Sequence, residues 1–250
     1  MSPEEYFWNP ESQWKDYEHQ YRNRKRYRTP LFCEMIQDAM RIFEQPTVLD
    51  IGCGHGIDGE KNLQSKIADA ATKMWGVEPD TEIQNNDCFD VIYPDFMEQA
   101  PVPPNSVHVA YCSFVIEHIA NPTVFFSKIH DSLVDGGIFL GMTDYRWSPF
   151  CFASQMMETL RIKNFYLNCT RGKRGVDRYE NYPTYYRANS IRQIKKTAPA
   201  FRKSLYSFWH RYGELNYYLP KLMQPAGKFL DFLSLHSILP RQIFICGLQK

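Results

Sequence analysis

Residues 47–56, Thr-Val-Leu-Asp-Ile-Gly-Cys-Gly-His-Gly, constrain the fold more than any other stretch of the chain. An apolar run holding one acid, Asp50, stops at Gly52, Gly54 and Gly56. Near-continuous apolar runs mark strands buried on both faces of a parallel sheet. The glycines then predict a tight turn leading into a helix. Glycine lets the backbone approach a ligand without interference from Cβ. Backbone N–H groups beside a helix N-terminus suit an anionic group. Asp50 falls at the carboxyl end of the strand, where open α/β sheets bind their ligands. A dinucleotide site takes the spacing G-x-G-x-x-G, whereas the glycines here run G-x-G-x-G.

Downstream, Trp75-Gly76-Val77-Glu78-Pro79-Asp80 predicts a second short strand ending in an acid. Glu78 follows Gly56 by 22 residues, about the interval at which a ribose-binding acid follows a glycine turn. A carboxylate accepts two hydrogen bonds from a cis-diol, which makes Glu78 a candidate cofactor contact. Val91-Ile92-Tyr93 leads to Asp95-Phe96. Residues 106–119 predict a strand that passes Ser113 and runs into the pair Glu117-His118. Leu133 to Gly141 carries a turn at Gly136-Gly137 into a further strand.

In this order, over residues 45–145, these stretches resemble the class I S-adenosylmethionine-dependent methyltransferases. The resemblance implies a doubly wound, Rossmann-like α/β fold whose seven-stranded sheet has six parallel strands and one antiparallel strand. It implies S-adenosylmethionine as cofactor, held by Asp50, Gly52, Cys53, Gly54, Gly56, Glu78, Pro79, Asp95, Phe96 and Ser113. In that family a polar residue at the place of Asp95 meets the adenine amino group, with an apolar neighbour against the ring. His108 stands where the family usually has Asp. Cys53 reads as a small filler of the turn rather than a nucleophile.

The chain has 250 residues, 44% apolar and 15% aromatic, enough for one packed domain or one domain with a large appendage. No apolar run reaches the length of a membrane span, and the first residues lack the pattern of a signal peptide. The seven cysteines show neither a C-x-x-C pair nor a zinc spacing. They read as reduced thiols of a cytoplasmic protein without a metal site. The net charge of +1 conceals an asymmetry. Residues 151–250 hold 17 Lys and Arg against 5 Asp and Glu, and residues 1–150 hold 12 against 23. This fits either an acidic partner for the C-terminal part or pairing between the two halves. The near-neutral total argues against a nucleic-acid partner despite the cluster Arg24-Lys25-Arg26-Tyr27-Arg28.

Four segments are expected. Residues 1–45 predict a helical lid of two helices, with Trp14, Tyr17 and Tyr21 at helical spacing as a stripe that either packs against the domain or covers the cofactor. Residues 46–144 form the cofactor-binding core. Residues 145–187 form a substrate-capping insert, with a helix near Met156 to Ile162 and a basic loop at 171–178. Residues 188–250 complete the sheet with strands at 201–209 and 241–248 and inserted helices. Further helices are expected at 59–73, 121–133 (Asn121 as cap) and 189–197. The interrupted apolar pattern from Leu219 to Leu239 reads as a buried cap rather than a membrane-surface contact.

Methyl transfer from a sulfonium is an in-line displacement, so the protein must place the acceptor about 3 Å from the methyl. His118 is the candidate catalytic base, because it follows the fourth strand and titrates near neutrality. Glu117 is expected to bond local backbone or the N-terminal segment. Ser113-Phe114-Val115-Ile116 stands where base-methylating enzymes carry a proline-aromatic box, which argues against a nucleic-acid base as acceptor. Tyr17, Tyr21, Tyr186 and Arg187 are candidate substrate contacts, through stacking and charge-assisted hydrogen bonds. The expected activity is O-methylation of a small-molecule or glycan-like metabolite, acidic or sugar-containing, as in natural-product biosynthesis. The alternatives are N-methylation of a small amine and a catalytically silent cofactor-binding module. Oligomeric state is left open, and integral membrane contact is not expected.

Overall fold

The computed structural model describes every residue except 1, 25–26, 55, 82–86, 163–164, 167–182, 211–218, 220 and 237, and the backbone alone of 12, 23 and 24. Seven strands form one sheet: β1 (Thr47–Ile51), β2 (Lys73–Val77), β3 (Val91–Tyr93), β4 (Val107–Ser113), β5 (Leu133–Asp144), β6 (Lys203–Trp209) and β7 (Ile243–Gln249). Their order is β3-β2-β1-β4-β5-β7-β6. β7 runs antiparallel to both its neighbours, and the other six strands share one direction. This is the expected Rossmann-like sheet. Strands 201–209 and 241–248 fall within two residues of their expected bounds.

Alternate residues along each strand serve two cores, as the period of two requires. Val48, Val109, Ile138 and Ile245 face one core, and Leu49, Ala110, Phe139 and Phe244 face the other. The first core is covered by the N-terminal elements and by α4 (Lys61–Ala70), through Leu63 and Ile67. The second is covered by α5 (Pro122–Ser132) and α7 (Ile191–Thr197), through Phe125, Phe126, Ile129 and Ile194. The Asn121 side chain caps α5, accepting from the Val124 N–H. The connections after β1 and β4 therefore leave to opposite faces. The crevice between these adjacent strands is the switch point at which doubly wound sheets bind ligands.

The N-terminal region holds α1 (Pro3–Phe7), a π-helical turn (Pro10–Trp14), α2 (Lys15–Arg24) and α3 (Arg28–Met40), where two helices were expected. Its aromatic stripe is core. Trp14 lies over β7, where a Cβ on Gly247 would sit 2.7 Å from its ring. Tyr21 stacks on Trp209 at 5.3 Å between ring centres, and its hydroxyl donates to the His210 carbonyl.

The region after β5 departs further from expectation. α6 (Pro149–Thr159) leaves the end of β5, and a 3-10 turn (Lys221–Met223) leads into α8 (Gln224–Leu235) between β6 and β7. The stretch 219–239 is not a buried cap. Leu222, Phe229, Phe232 and Ile238 are all exposed. The basic loop at 171–178 lies outside the described residues.

Candidate active site

The glycine turn after β1 is pinned from three sides. The Gly52 N–H donates to the Val77 carbonyl at 2.8 Å, fastening the turn to the end of β2. Gly52 has φ of +79°, a region an L side chain enters only at a cost. A Cβ there would lie 2.5 Å from Val115 Cγ2, just beyond β4. The backbones of the β1 and β4 ends therefore approach only because residue 52 has no side chain. Gly56, at φ +84°, would meet the Glu60 backbone at 2.8 Å, so it sets the entry into α4. Cys53 is buried, and its Sγ lies 2.6 Å from where a Gly76 Cβ would stand. Burial pushes the Cys53 thiol well above its ordinary range, as suits a filler.

Asp50 is buried and holds the turn indirectly. Its Oδ2 accepts from Gln64 Nε2 at 2.6 Å and from the Tyr111 hydroxyl at 2.7 Å. Gln64 Nε2 also donates to the Cys53 carbonyl at 2.8 Å. One carboxylate thus ties β1, β4, α4 and the turn together. Burial pushes Asp50 up to about 7 against the lowering effect of these two bonds. Gln64 and Tyr111 were not anticipated. Their signal was a polar residue beside Leu63 on the apolar face of α4, and a tyrosine hydroxyl in the buried middle of β4.

Glu78 ends β2, buried, with each oxygen held by a backbone N–H: Gly54 to Oε2 at 3.1 Å and Asp80 to Oε1 at 3.0 Å. A carboxylate offers about four acceptor positions, so this grip is compatible with a diol donating as well. Pro79 follows it. Asp95 sits just past β3, its Oδ1 accepting from the Phe96 N–H at 2.8 Å, and the Phe96 ring is exposed. Ser113 closes β4, and its hydroxyl oxygen is buried without a hydrogen-bond partner among the described residues. These positions all lie at the carboxyl ends of β3, β2, β1 and β4, which are adjacent strands.

Beyond β4, Phe114 takes φ of +55°, while its N–H donates to the Met142 carbonyl at 2.8 Å. Arg28, from the start of α3, lies over the Phe114 ring at 5.3 Å and pairs with Asp58 at 2.6 Å. The N-terminal region therefore reaches the β1–β4 ends through Arg28, while Tyr21 of its aromatic stripe packs at the end of β6. In the sequence Arg28 stands out only as a member of the basic cluster 24–28.

A 3-10 turn, Ile116–His118, follows. His118 Nδ1 lies 2.9 Å from the Pro183 carbonyl oxygen. A carbonyl only accepts, so Nδ1 carries the proton, and the basic lone pair of the neutral ring is on Nε2. Glu117 is buried, and its Oε2 accepts from the Thr143 hydroxyl at 2.6 Å. Asn189 Nδ2 donates to Thr143 Oγ1 at 2.7 Å and to the Asp144 carbonyl at 3.0 Å. The Glu117 backbone carbonyl receives the Tyr185 and Tyr186 N–H groups at 2.7 and 3.2 Å. Residues 183–189 thus lie across the ends of β4 and β5.

The acceptor candidates separate. Arg187 is exposed at this edge, donating to the Ala120 carbonyl at 2.6 Å and lying over the Tyr185 ring at 5.2 Å. Tyr186 is buried behind it among Cys151, Asp144 and Glu117; burial first, then those acidic neighbours, raise its hydroxyl far above the ordinary range. Tyr17 and Tyr21 are elsewhere. Tyr17 is buried with its hydroxyl bonded to Asp38, and Tyr21 is spent on Trp209 and His210. Their periodicity is that of a packing face, with both side chains buried and both hydroxyls bonded within the chain.

The model of a family described as a methyltransferase domain matches residues 20–198. No curated protein sequence matches the chain. Among solved structures, a SAM-dependent methyltransferase from Archaeoglobus fulgidus aligns with a TM-score of 0.54 at 13% identity, covering 96% of this chain and 100% of that one. A Haemonchus contortus phosphoethanolamine N-methyltransferase, solved with phosphomonomethylethanolamine and S-adenosylhomocysteine, aligns with a TM-score of 0.55 at 15% identity, covering 87% of this chain and 52% of that one. A geranyl diphosphate C-methyltransferase from Streptomyces coelicolor, solved with Mg2+, a geranyl thiolodiphosphate and S-adenosylhomocysteine, aligns with a TM-score of 0.53 at 14% identity, covering 87% of this chain and 74% of that one.

Proposed function

From the premise that this chain belongs to the methyltransferase domain family, we propose that it binds S-adenosylmethionine at the β1–β4 crevice and methylates an oxygen of a small-molecule acceptor. The residues present fit the cofactor. Gly52 leaves a side-chain-free approach between β1 and β4, and Glu78 is preset by two backbone N–H groups at the end of β2. Glu78 takes the ribose hydroxyls, Asp95 the adenine amino group, and Phe96 the face of the ring. Gly52, Gly54, Gly56 and Ser113 line the approach to the amino-acid end. When bound, the cofactor supplies an electrophilic methyl on a sulfonium.

One observation carries the assignment of the base: the Pro183 carbonyl holds the His118 proton on Nδ1. Nε2 would then take the proton of the acceptor hydroxyl while the bound cofactor supplied the methyl to that oxygen. Arg187 stands at the same edge as the contact for an acidic or phosphorylated acceptor. A second reading, transfer to an amine, draws on the buried carboxylates Glu117 and Asp144 at the ends of β4 and β5, which favour a cationic acceptor.

S-adenosylhomocysteine release measured across hydroxyl and amine acceptors separates these readings. Hydroxyl acceptors should turn over, with His118→Ala lowering kcat about 100-fold or more. Cofactor affinity should stay unchanged, and the acid limb of the pH profile should disappear. Turnover of amines alone favours the second reading. An active His118→Ala variant removes the base, and no turnover with any acceptor favours a silent module.

A further inference from the structure

Two helices at the carboxyl edge, α6 and α8, expose large apolar side chains on one face while small residues make their most buried contacts. α8 buries Gly227 and Ser234, seven residues apart on one face. Ser234 receives a bond from Gln242 at 3.1 Å. The opposite face carries Phe229 and Phe232, 60% and 52% exposed. Leu222, in the turn that precedes α8, is 93% exposed. α6 repeats the arrangement, burying Cys151 and Ser154 while Phe152 stands 70% exposed and Met156 50%. A helix packed on a folded body normally turns its large apolar side chains inward. Two that turn them outward present an apolar surface to something outside the chain.

Their position is shared. α6 follows the carboxyl end of β5, and α8 lies between the carboxyl end of β6 and the start of β7. Asp144, Trp209 and Ile243, which border these connections, are in register with one another. The outward apolar residues therefore belong to the edge that holds the candidate acceptor site.

Charge selects the occupant. Lys221 and Lys228 are exposed beside Leu222 and Phe229, and Arg161 is exposed just past α6. Each helix carries one acid, Glu158 or Asp231. The last 100 residues hold 17 Lys and Arg against 5 Asp and Glu. A second copy presenting the same face would oppose cation to cation. An anionic lipid surface accepts the phenylalanines at the headgroup–acyl boundary and attracts the lysines. No helix among the described residues is long and apolar enough to cross a membrane, so the contact is peripheral.

We infer that α6 and α8 dock this protein on an anionic membrane surface, with the carboxyl edge of the sheet facing the lipid. The inference stands apart from the methyl-transfer reading, because binding is read without an acceptor. The test is flotation of the full chain with vesicles of phosphatidylcholine alone and of phosphatidylcholine mixed with phosphatidylglycerol. The chain should float with the mixed vesicles and far less with phosphatidylcholine. Phe229→Glu with Phe232→Glu should cut the bound fraction about tenfold or more, with the melting temperature and S-adenosylhomocysteine affinity retained. Lys221→Glu with Lys228→Glu should abolish the preference for phosphatidylglycerol. Failure to float with either vesicle, or binding that both double variants leave intact, overturns the proposal. So does self-association in the ultracentrifuge that the phenylalanine variant abolishes while vesicles go unbound.

Discussion

If Glu78 holds the ribose, its effect must depend on the ligand having a diol. The structure gives Glu78 a second task, since its carboxylate also takes the Gly54 and Asp80 N–H groups. A simple loss of affinity in Glu78→Gln would therefore mix a disturbed turn with a lost ligand contact. A cycle across the ligand separates the two. Titration calorimetry would compare wild type and Glu78→Gln against S-adenosylhomocysteine and its 2′-deoxy analogue. Disturbance of the turn weakens both ligands alike and cancels. What remains is the bond between the carboxylate and the 2′-hydroxyl, about 1.5–3 kcal/mol for a hydrogen bond to a charged group. Wild type should therefore prefer the natural ligand by about 10- to 150-fold, and Glu78→Gln should nearly lose that preference. Equal losses for both ligands would refute the diol contact and leave Glu78 as an anchor of the turn. Tight NAD binding would refute the cofactor assignment itself.

Two further predictions concern the frame of the site. Gly52→Ala should cost about 1–2 kcal/mol for its positive φ and a further ~1–3 kcal/mol for the overlap with Val115. In a Val115→Ala background only the φ cost should remain, so urea denaturation that finds the two substitutions additive would contradict the contact. Asp50, raised to about 7 in the folded chain, binds its proton more tightly folded than unfolded. Its contribution to stability is complete below about pH 4 and is lost as pH rises towards 7, on the order of 4 kcal/mol in all. Wild-type stability relative to Asp50→Asn should fall across that window, and parallel pH curves would sink the assignment.

The cofactor half of the site was legible because backbone geometry left its mark on residue type. Gly52 and Gly56 occupy positive-φ positions where a Cβ would strike Val115 or the Glu60 backbone, so the glycine spacing was a direct record of the turn. β1 and β4 are buried on both faces, so their apolar runs identified them. What escaped notice were polar side chains that work through other side chains. Gln64 and Tyr111 are recognisable only once α4 and β4 stand beside Asp50. Even the departure at His108 has a local use, because its ring accepts the Thr47 N–H at 3.1 Å.

The acceptor half misled for a different reason. Reading helices from periodicity assumes that the apolar stripe faces the body. For α2 this held in full: Tyr17 and Tyr21 are buried, and no stripe remained for an acceptor. For α6 and α8 the assumption fails in part, since Cys151, Ser154, Gly227 and Ser234 make the most buried contacts while Phe152, Phe229 and Phe232 stand outward. Periodicity is the same for a stripe turned in or out, so sequence signalled helices in these regions, with the first expected at 156–162 and found at Pro149–Thr159, but could not orient them. Orientation is what changes their meaning. A cap buried over the sheet would close the candidate acceptor site against water, whereas an outward apolar face at the same edge, docked as proposed, would set it beside a lipid phase.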